Sequence, residues 1–175
     1  MKSKYKNLVA LSTHLIRLEV IRGPDRWRVT ELSRSSRFAR SRIYEVLGKN
    51  KTEMLENALA AVLDELYGLS PERVEFELSQ GVVQGFHRSR QLVMDHPELL
   101  AFYFRNRRRQ DKVGEIIRTK EKKYLEKVTN RTPNNDATYI LFVRTMIHGI
   151  SLAPFLEDSD IEPLLKMLSS ISFAE

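Results

Sequence analysis

Apolar residues recur every three or four positions along most of this chain, which is the spacing of one face of an α-helix. The first stripe ends at a Gly-Pro pair at 23–24 and consists of Leu8, Leu11, Leu15, Leu18 and Ile21. Alternating β-branched positions are scarce, and the Asn-Gly and Asp-Gly hairpin signals do not occur. The pattern predicts an all-α fold of about nine helices.

Two short helices and a longer one are predicted after the first stripe. The short ones cover residues 31–35 and 40–47, and the longer one runs from Lys51 to about Tyr67. Asn50 can accept a hydrogen bond as the N-cap of the longer helix, and Glu53 stands at the capping-box spacing behind it. This helix is expected to connect an N-terminal domain, residues 1–51, to a second domain, residues 52–175.

After the connecting helix, the next region opens with Ser70 and a proline, a typical helix start. A single long helix is predicted from there to about Asp95. Gly81 and Gly85 lie one turn apart inside it, each costing about 1 kcal/mol relative to Ala, so close packing or a kink should compensate. A shorter helix from Pro97 and a charged helix over residues 110–128 follow.

The last two predicted helices, over residues 136–153 and from about 159–163 onward, are apolar on more than one face. Such a helix is buried on more than one face, and a second subunit is the simplest cover. We therefore expect a homodimer. Its predicted interface contains Phe142, Ile147, Ile150, Leu164, Leu165 and Leu168.

Positive charge is concentrated at the N-terminal end of this 175-residue chain, whose net charge is +6. Residues 1–51 hold 13 Lys and Arg against 4 Asp and Glu, whereas the other 124 residues hold 16 against 19. A basic end on a mildly acidic body is typical of a module that binds a polyanion.

Catalysis, metals and membranes find little support in the sequence. The chain has no cysteine, and its four histidines are well separated. The H-E-x-x-H, G-x-S-x-G and Walker A motifs and the dinucleotide-binding fingerprint do not occur. We therefore expect neither an enzyme nor a metal site nor a cofactor. No apolar run reaches about 18 residues, and the N-terminal segment lacks a signal-peptide core, so a cytoplasmic protein without a membrane partner is expected.

Residues 29–55 are typical of a helix-turn-helix unit, whose second short helix enters the major groove of DNA. That helix would carry Arg40, Ser41 and Arg42 in its first turn, where Arg and Ser can read base edges. The remaining predicted contacts, some of them to phosphates, surround it. The full predicted DNA-binding set is Thr30, Arg37, Arg40, Ser41, Arg42, Tyr44, Lys49 and Lys51.

This segment resembles the TetR family of bacterial transcriptional regulators. The resemblance rests on Thr30, Leu32, Ile43, Tyr44, Leu47, Lys51, Glu53, Met54 and Leu55, and more loosely on residues 96–100 and 136–152. It implies a homodimer that binds a near-palindromic operator of double-stranded DNA, usually as a repressor, and that responds to a small-molecule effector. The chain departs from the family pattern at Arg37, where Gly is usual, at Ala39, where Ser or Thr caps the helix, and at Leu47, where an aromatic is usual.

Large apolar residues of the second domain are typical of a core, and the resemblance implies that such a core also binds the effector. The predicted effector pocket comprises Phe86, Phe102, Tyr103, Tyr124, Tyr139, Phe142 and Met146.

A second basic cluster, Arg105, Arg107, Arg108, Arg109 and Lys112, is interpreted as a solvated loop in preference to a site for an anionic ligand or an extra phosphate.

Two functions other than a transcriptional regulator stay open. One is a non-catalytic protein–protein adaptor, or a non-specific DNA-binding protein, on the same scaffold, and the departures at Arg37 and Ala39 are compatible with it. The other is a small helical enzyme whose site is assembled only in space.

Overall fold

The computed structural model describes residues 2–130 together with residues 149, 159 and 161–163. This part of the chain contains eight α-helices and no strand, which confirms the all-α prediction. The helices are α1 (Lys2–Arg22), α2 (Val29–Ser36), α3 (Arg40–Leu47), α4 (Lys51–Leu66), α5 (Pro71–Gln80), α6 (Val82–Asp95), α7 (Glu98–Asn106) and α8 (Lys112–Asn130).

Several sequence-based predictions concern residues outside the described ones. They include the whole proposed dimer interface and three members of the proposed effector pocket. The residues concerned are Tyr139, Phe142, Met146, Ile147, Ile150, Leu164, Leu165 and Leu168.

Helices α1 and α4 form the centre of the described fold and pack against each other. Helix α1 also contacts α2, α3 and α7, and α4 also contacts α3, α6 and α8. One continuous hydrophobic cluster therefore extends from Leu32 and Ile43 in the short helices, through Leu15, to Phe102 and Ile117. The predicted boundary at residue 51 falls at the start of α4, and the cluster includes side chains from both sides of it.

The start of α4 follows the sequence-based prediction. The Asn50 side chain accepts a hydrogen bond from the backbone N–H of Glu53 at 2.9 Å, so Asn50 is the N-cap. The Glu53 carboxylate accepts from the backbone N–H of Lys49 at 2.7 Å, one residue earlier than in a standard capping box. These bonds satisfy backbone donors that a helix start would otherwise leave unpaired.

The prediction of a single helix from Ser70 to about Asp95 is wrong. Gly81 has φ +89°, a conformation that residues with a side chain rarely adopt, and it separates α5 from α6. The two helices pack on each other, and a Cβ on Gly85 would approach the Glu77 side chain to 2.5 Å. Gly81 thus makes the turn, and Gly85 allows α6 to pack closely on α5.

A buried ionic cluster joins α4, α5, α6 and α8, and the sequence analysis did not predict it. Arg73 is fully buried and donates from Nη2 to the Gly85 carbonyl at 2.6 Å and to Ser89 Oγ at 2.7 Å. Its Nε lies 3.7 Å from a Glu65 carboxylate oxygen. The other members are Glu77, 3.9 Å from Arg73, Arg88, 2.6 Å from Glu65, and Lys127, 2.7 Å from Glu77.

Candidate nucleic-acid interface

Fully buried apolar side chains anchor the two short helices α2 and α3. Leu32, Ile43 and Leu47 are fully enclosed, and so is Trp27 in the loop before α2. The Trp27 indole N–H donates to the Glu19 carboxylate at 2.6 Å, which ties this loop to α1. Burial of each such side chain contributes roughly 1.5–3 kcal/mol. Because helices as short as α2 and α3 are unstable in isolation, this tertiary packing is what stabilises them.

The turn between α2 and α3 contains Arg37 in the left-handed conformation, with φ +60° and ψ +18°. A non-glycine residue there costs about 1–2 kcal/mol. Two serines support the turn: Ser33 Oγ donates to the Phe38 carbonyl at 2.7 Å, and Ser36 Oγ accepts from the Phe38 N–H at 3.4 Å. The sequence analysis missed these serines, although short hydroxyl side chains beside a turn are a usual signal of such bonds.

Helix α3 begins without a side-chain cap. Ala39 is the N-cap residue, and its methyl group can accept no hydrogen bond. The prediction that Ala39 cannot cap is therefore confirmed. The N-terminal end of α3 lacks the side-chain acceptor that Ser or Thr would supply, and an anionic group bound there would meet unsatisfied N–H donors.

The exposed face of α3 carries three polar side chains. At about 100° per residue, Ser41, Arg42 and Glu45 lie opposite the buried Ile43 and Leu47. Ser41 and Glu45 are exposed, and Arg42 is half-buried and donates from Nη1 to the Glu45 carboxylate at 2.6 Å. Arg42 therefore has an acidic partner in the free chain, which the sequence analysis did not predict.

The remaining predicted contacts of α2, the turn and α3 are open to solvent. Thr30, Arg37 and Arg40 are exposed, and Tyr44 exposes 44 % of its surface. Arg37 and Arg40 form no ion pair with any carboxylate of the described residues. The exposed side of α2, the turn and α3 therefore carries several cations with few or no acidic partners, and the opposite side is packed into the core.

Lys49 and Lys51 flank the N-cap of α4 in different environments. Lys49 is exposed, whereas Lys51 is half-buried and donates from Nζ to the Asp25 carbonyl at 2.6 Å. The Lys51 ammonium also lies 5.3 Å from the centroid of the Trp27 ring. An ammonium has three donors, so Lys51 retains the capacity to donate to a further acceptor beside the loop that it holds.

The described members of the predicted effector pocket are packed in the core. Phe86, Phe102, Tyr103 and Tyr124 expose between 2 % and 9 % of their surface. The Tyr124 ring stacks on Tyr67 at 4.9 Å between centroids, and the Tyr103 hydroxyl donates to Glu121. Burial raises the pKa of Tyr103, so its hydroxyl keeps its proton and acts as a donor.

An open cleft of about 140 Å³ lies between α1, α5 and α6, and none of the described aromatic residues of the predicted pocket lines it. It is lined by Tyr5, Lys6, Glu72, Glu75, Phe76, Ser79 and Arg88. The effector pocket stays a prediction from the resemblance.

Within the described part of the chain, no group of three or more His, Asp or Glu is placed to hold a metal ion. None of the described helices is both long enough and apolar enough to cross a membrane. Comparisons of the chain with protein-family models, with curated proteins and with solved structures found no match.

Proposed function

We propose that this chain is a TetR-like transcriptional regulator that binds double-stranded DNA as a homodimer. In this proposal α2 and α3 act as a helix-turn-helix unit, and the operator is a near-palindrome. Repression is the proposed output, because a protein bound at an operator competes with transcription. A small effector of unspecified chemistry would modulate DNA affinity by stabilising one relative position of the two α3 helices.

The observation that carries the proposal is the exposed first turn of α3 on a fully buried base. Arg40 and Ser41 are exposed, while Ile43 and Leu47 are completely enclosed. A helix held in this way can be inserted into a groove without unfolding, and its first turn carries the side-chain types that read bases. The excess positive charge of residues 1–51 supplies the attraction to phosphates.

Each residue of the candidate interface has a proposed role. Arg40, Ser41 and Arg42 would contact base edges, since they lie in the first turn of α3. Contacts to the phosphate backbone would position this helix without reading sequence. The proposed phosphate contacts are Thr30, Arg37, Tyr44, Lys49 and Lys51.

Selection of duplexes from a random pool, with sequencing of the bound fraction, tests this proposal on the full chain. We expect an inverted repeat whose half-sites lie about one helical turn apart. The variant Arg40→Ala should lose preference at one base position in each half-site, at a cost of about 1–3 kcal/mol. Lys122→Ala, on the exposed surface of α8, is the matched control and should select the same repeat.

A second candidate function is a protein–protein adaptor, or a DNA-binding protein without sequence preference. The contact between Arg42 and Glu45 favours it, because a guanidinium held by a carboxylate is less available to a base. The uncapped start of α3 favours it as well. Recovery of bound duplexes with no common sequence would support non-specific binding, and failure to retain any duplex at low salt would support the adaptor.

A further inference from the structure

The end of α7, the loop that follows it and the start of α8 carry a dense group of cations. Residues 105–118 contain six Arg and Lys against two Asp and Glu. Arg107 pairs with Glu121, Arg109 with Asp111, and Lys112 with Glu115. Arg105 and Arg108 are exposed and form no ion pair with the carboxylates of the described residues. We call residues 105–112 the basic loop.

The basic loop is held in one conformation by bonds from α8. Arg118 Nη1 donates to the Arg109 carbonyl at 2.6 Å and to the Arg107 carbonyl at 3.3 Å. The Asp111 carboxylate accepts from the backbone N–H of Gly114 at 3.2 Å. Gly114 lies so close to the Arg109 carbonyl that a Cβ would collide with it. These bonds hold the backbone of the basic loop, which reduces the backbone entropy lost when its side chains bind an anion.

The C-terminal end of α7 lies on the side of the molecule that carries the loop before α2. Helix α7 packs on α1, and Arg105 interacts electrostatically with Glu19 of α1. Glu19 in turn accepts from the Trp27 indole, and Lys51 lies over the same indole ring. Glu19 of α1 therefore bonds to the loop before α2 and lies within the electrostatic reach of Arg105 at the end of α7.

We infer that the basic loop binds the DNA phosphate backbone outside the segment contacted by α3. This inference rests on the function proposed above. The two unpaired guanidiniums, on Arg105 and Arg108, would donate to phosphate oxygens in the bidentate geometry that suits arginine. Arg107 and Arg109 are partly neutralised by their carboxylates, so they add to the local potential and not to the direct contacts.

Continuity of charge favours DNA as the partner over other anions. The basic loop and the cations near Lys51 lie on connected elements, and a duplex seated on α3 continues beyond its half-sites as a line of phosphates. Arg105 and Arg108 are exposed at the surface, so they suit an extended polyanion better than a small enclosed ligand.

Binding to duplexes of two lengths tests the inference with the full chain. One duplex carries the selected repeat alone, and the other carries it with about ten extra base pairs on each side, one helical turn. We expect the wild type to bind the longer duplex several-fold more tightly. The double variant Arg105→Gln/Arg108→Gln should lose this advantage and keep its affinity for the short duplex. The salt slope on the long duplex should fall by about 0.9 for each phosphate that the variant no longer neutralises.

The matched control is Lys122→Gln/Lys123→Gln, which removes two exposed cations from the middle of α8. It should keep the advantage of the longer duplex. Equal affinity of the wild type for both lengths would overturn the inference while leaving the proposed function standing. Equal losses in both double variants would overturn it too, as would loop-dependent binding to vesicles with anionic lipids and no length effect on DNA. Failure of the wild type to bind even the short duplex would instead refute the proposed function.

Discussion

Arginine serves opposite purposes in two regions of this molecule. On α3 and the turn before it, Arg37 and Arg40 are exposed and form no ion pair with the described carboxylates. In the interior, Arg73 is fully buried, donates to the Gly85 carbonyl and Ser89, and lies within 4 Å of both Glu65 and Glu77. The difference indicates that the first group has charge to offer a partner, and that the charge of the second stabilises contacts within the fold.

The energetic consequences of the two arrangements also differ. An exposed cation is solvated, so removing it changes the free energy of unfolding little. A buried guanidinium has lost its water, and burial lowers the pKa of Arg73 while the neighbouring carboxylates oppose this effect. The interior cluster is therefore sensitive to the loss of a member, because its charges compensate one another in a place that water does not reach.

Removing Arg73 should produce the largest effect. We expect Arg73→Ala to lower the free energy of unfolding by about 3–5 kcal/mol, since it empties a fully buried site, removes the bonds to the Gly85 carbonyl and Ser89, and takes one cation from Glu65 and Glu77. Urea denaturation followed by circular dichroism measures the change. Arg40→Ala, the exposed counterpart, should change stability by no more than about 0.5 kcal/mol. Similar stability losses in the two variants would contradict the comparison.

Replacing Arg37 with Gly should change stability and DNA affinity in opposite directions. Because Arg37 is left-handed at φ +60°, Arg37→Gly should raise the free energy of unfolding by about 0.5–1 kcal/mol. The same change removes an exposed cation, so DNA affinity should fall at low salt. Thermal unfolding and duplex titration are the two measurements.

The control for this variant is Arg34→Gly, in the last turn of α2. It removes the same charge and creates the same residue, but in helical backbone, and should lower stability by about 1 kcal/mol. If both glycine variants were destabilised, the strain assigned to Arg37 would be refuted.

Local signals predicted much of the fold. The limits of α3 and the cap of α4 at Asn50 depend on residues within a few positions, so the sequence alone was sufficient. The break at Gly81 was harder, because an isolated glycine in a helical pattern is compatible with either a kink or an end. The φ of +89° at Gly81 shows that the helix ends there.

The electrostatic environment of the candidate site could not be predicted in the same way. Ion pairs such as that of Arg73 with Glu65 join residues of different helices, and their partners are known only once the helices are packed. The contact of Arg42 with Glu45 is local, at three residues' spacing, and charge pairing on a helix could have predicted it. The DNA-binding role of this surface stays a prediction.

Glu45 provides a smaller test of the exposed region. Because its carboxylate holds Arg42 and lies on the same face of α3, Glu45→Gln should free the guanidinium and remove repulsion from phosphates. We expect affinity for duplexes of random sequence to rise by up to about fivefold, the equivalent of an exposed ion pair. Glu126→Gln, an exposed residue of α8 whose partner is Lys122, is the control. Weaker binding of the selected repeat by Glu45→Gln would show instead that Glu45 accepts from a base.

His14, at the contact between α1 and α7, is half-buried, and so lies between the buried Arg73 and the exposed arginines of α3. Its effect on stability should be the smallest. Burial, followed by the charges of His96 and Arg17, lowers the pKa of His14, while Glu98 opposes this effect. The folded chain then binds fewer protons than the unfolded chain, so stability should fall as the pH drops below the ordinary histidine pKa of about 6.5. His14→Gln cannot be protonated and should reduce this loss. Unfolding midpoints at pH 7.5 and pH 5, with His87→Gln on α6 as the control, measure the difference. If the wild type and His14→Gln lost the same stability in acid, protonation of His14 would not destabilise the folded chain, and its partial burial would matter no more than the exposure of the arginines on α3.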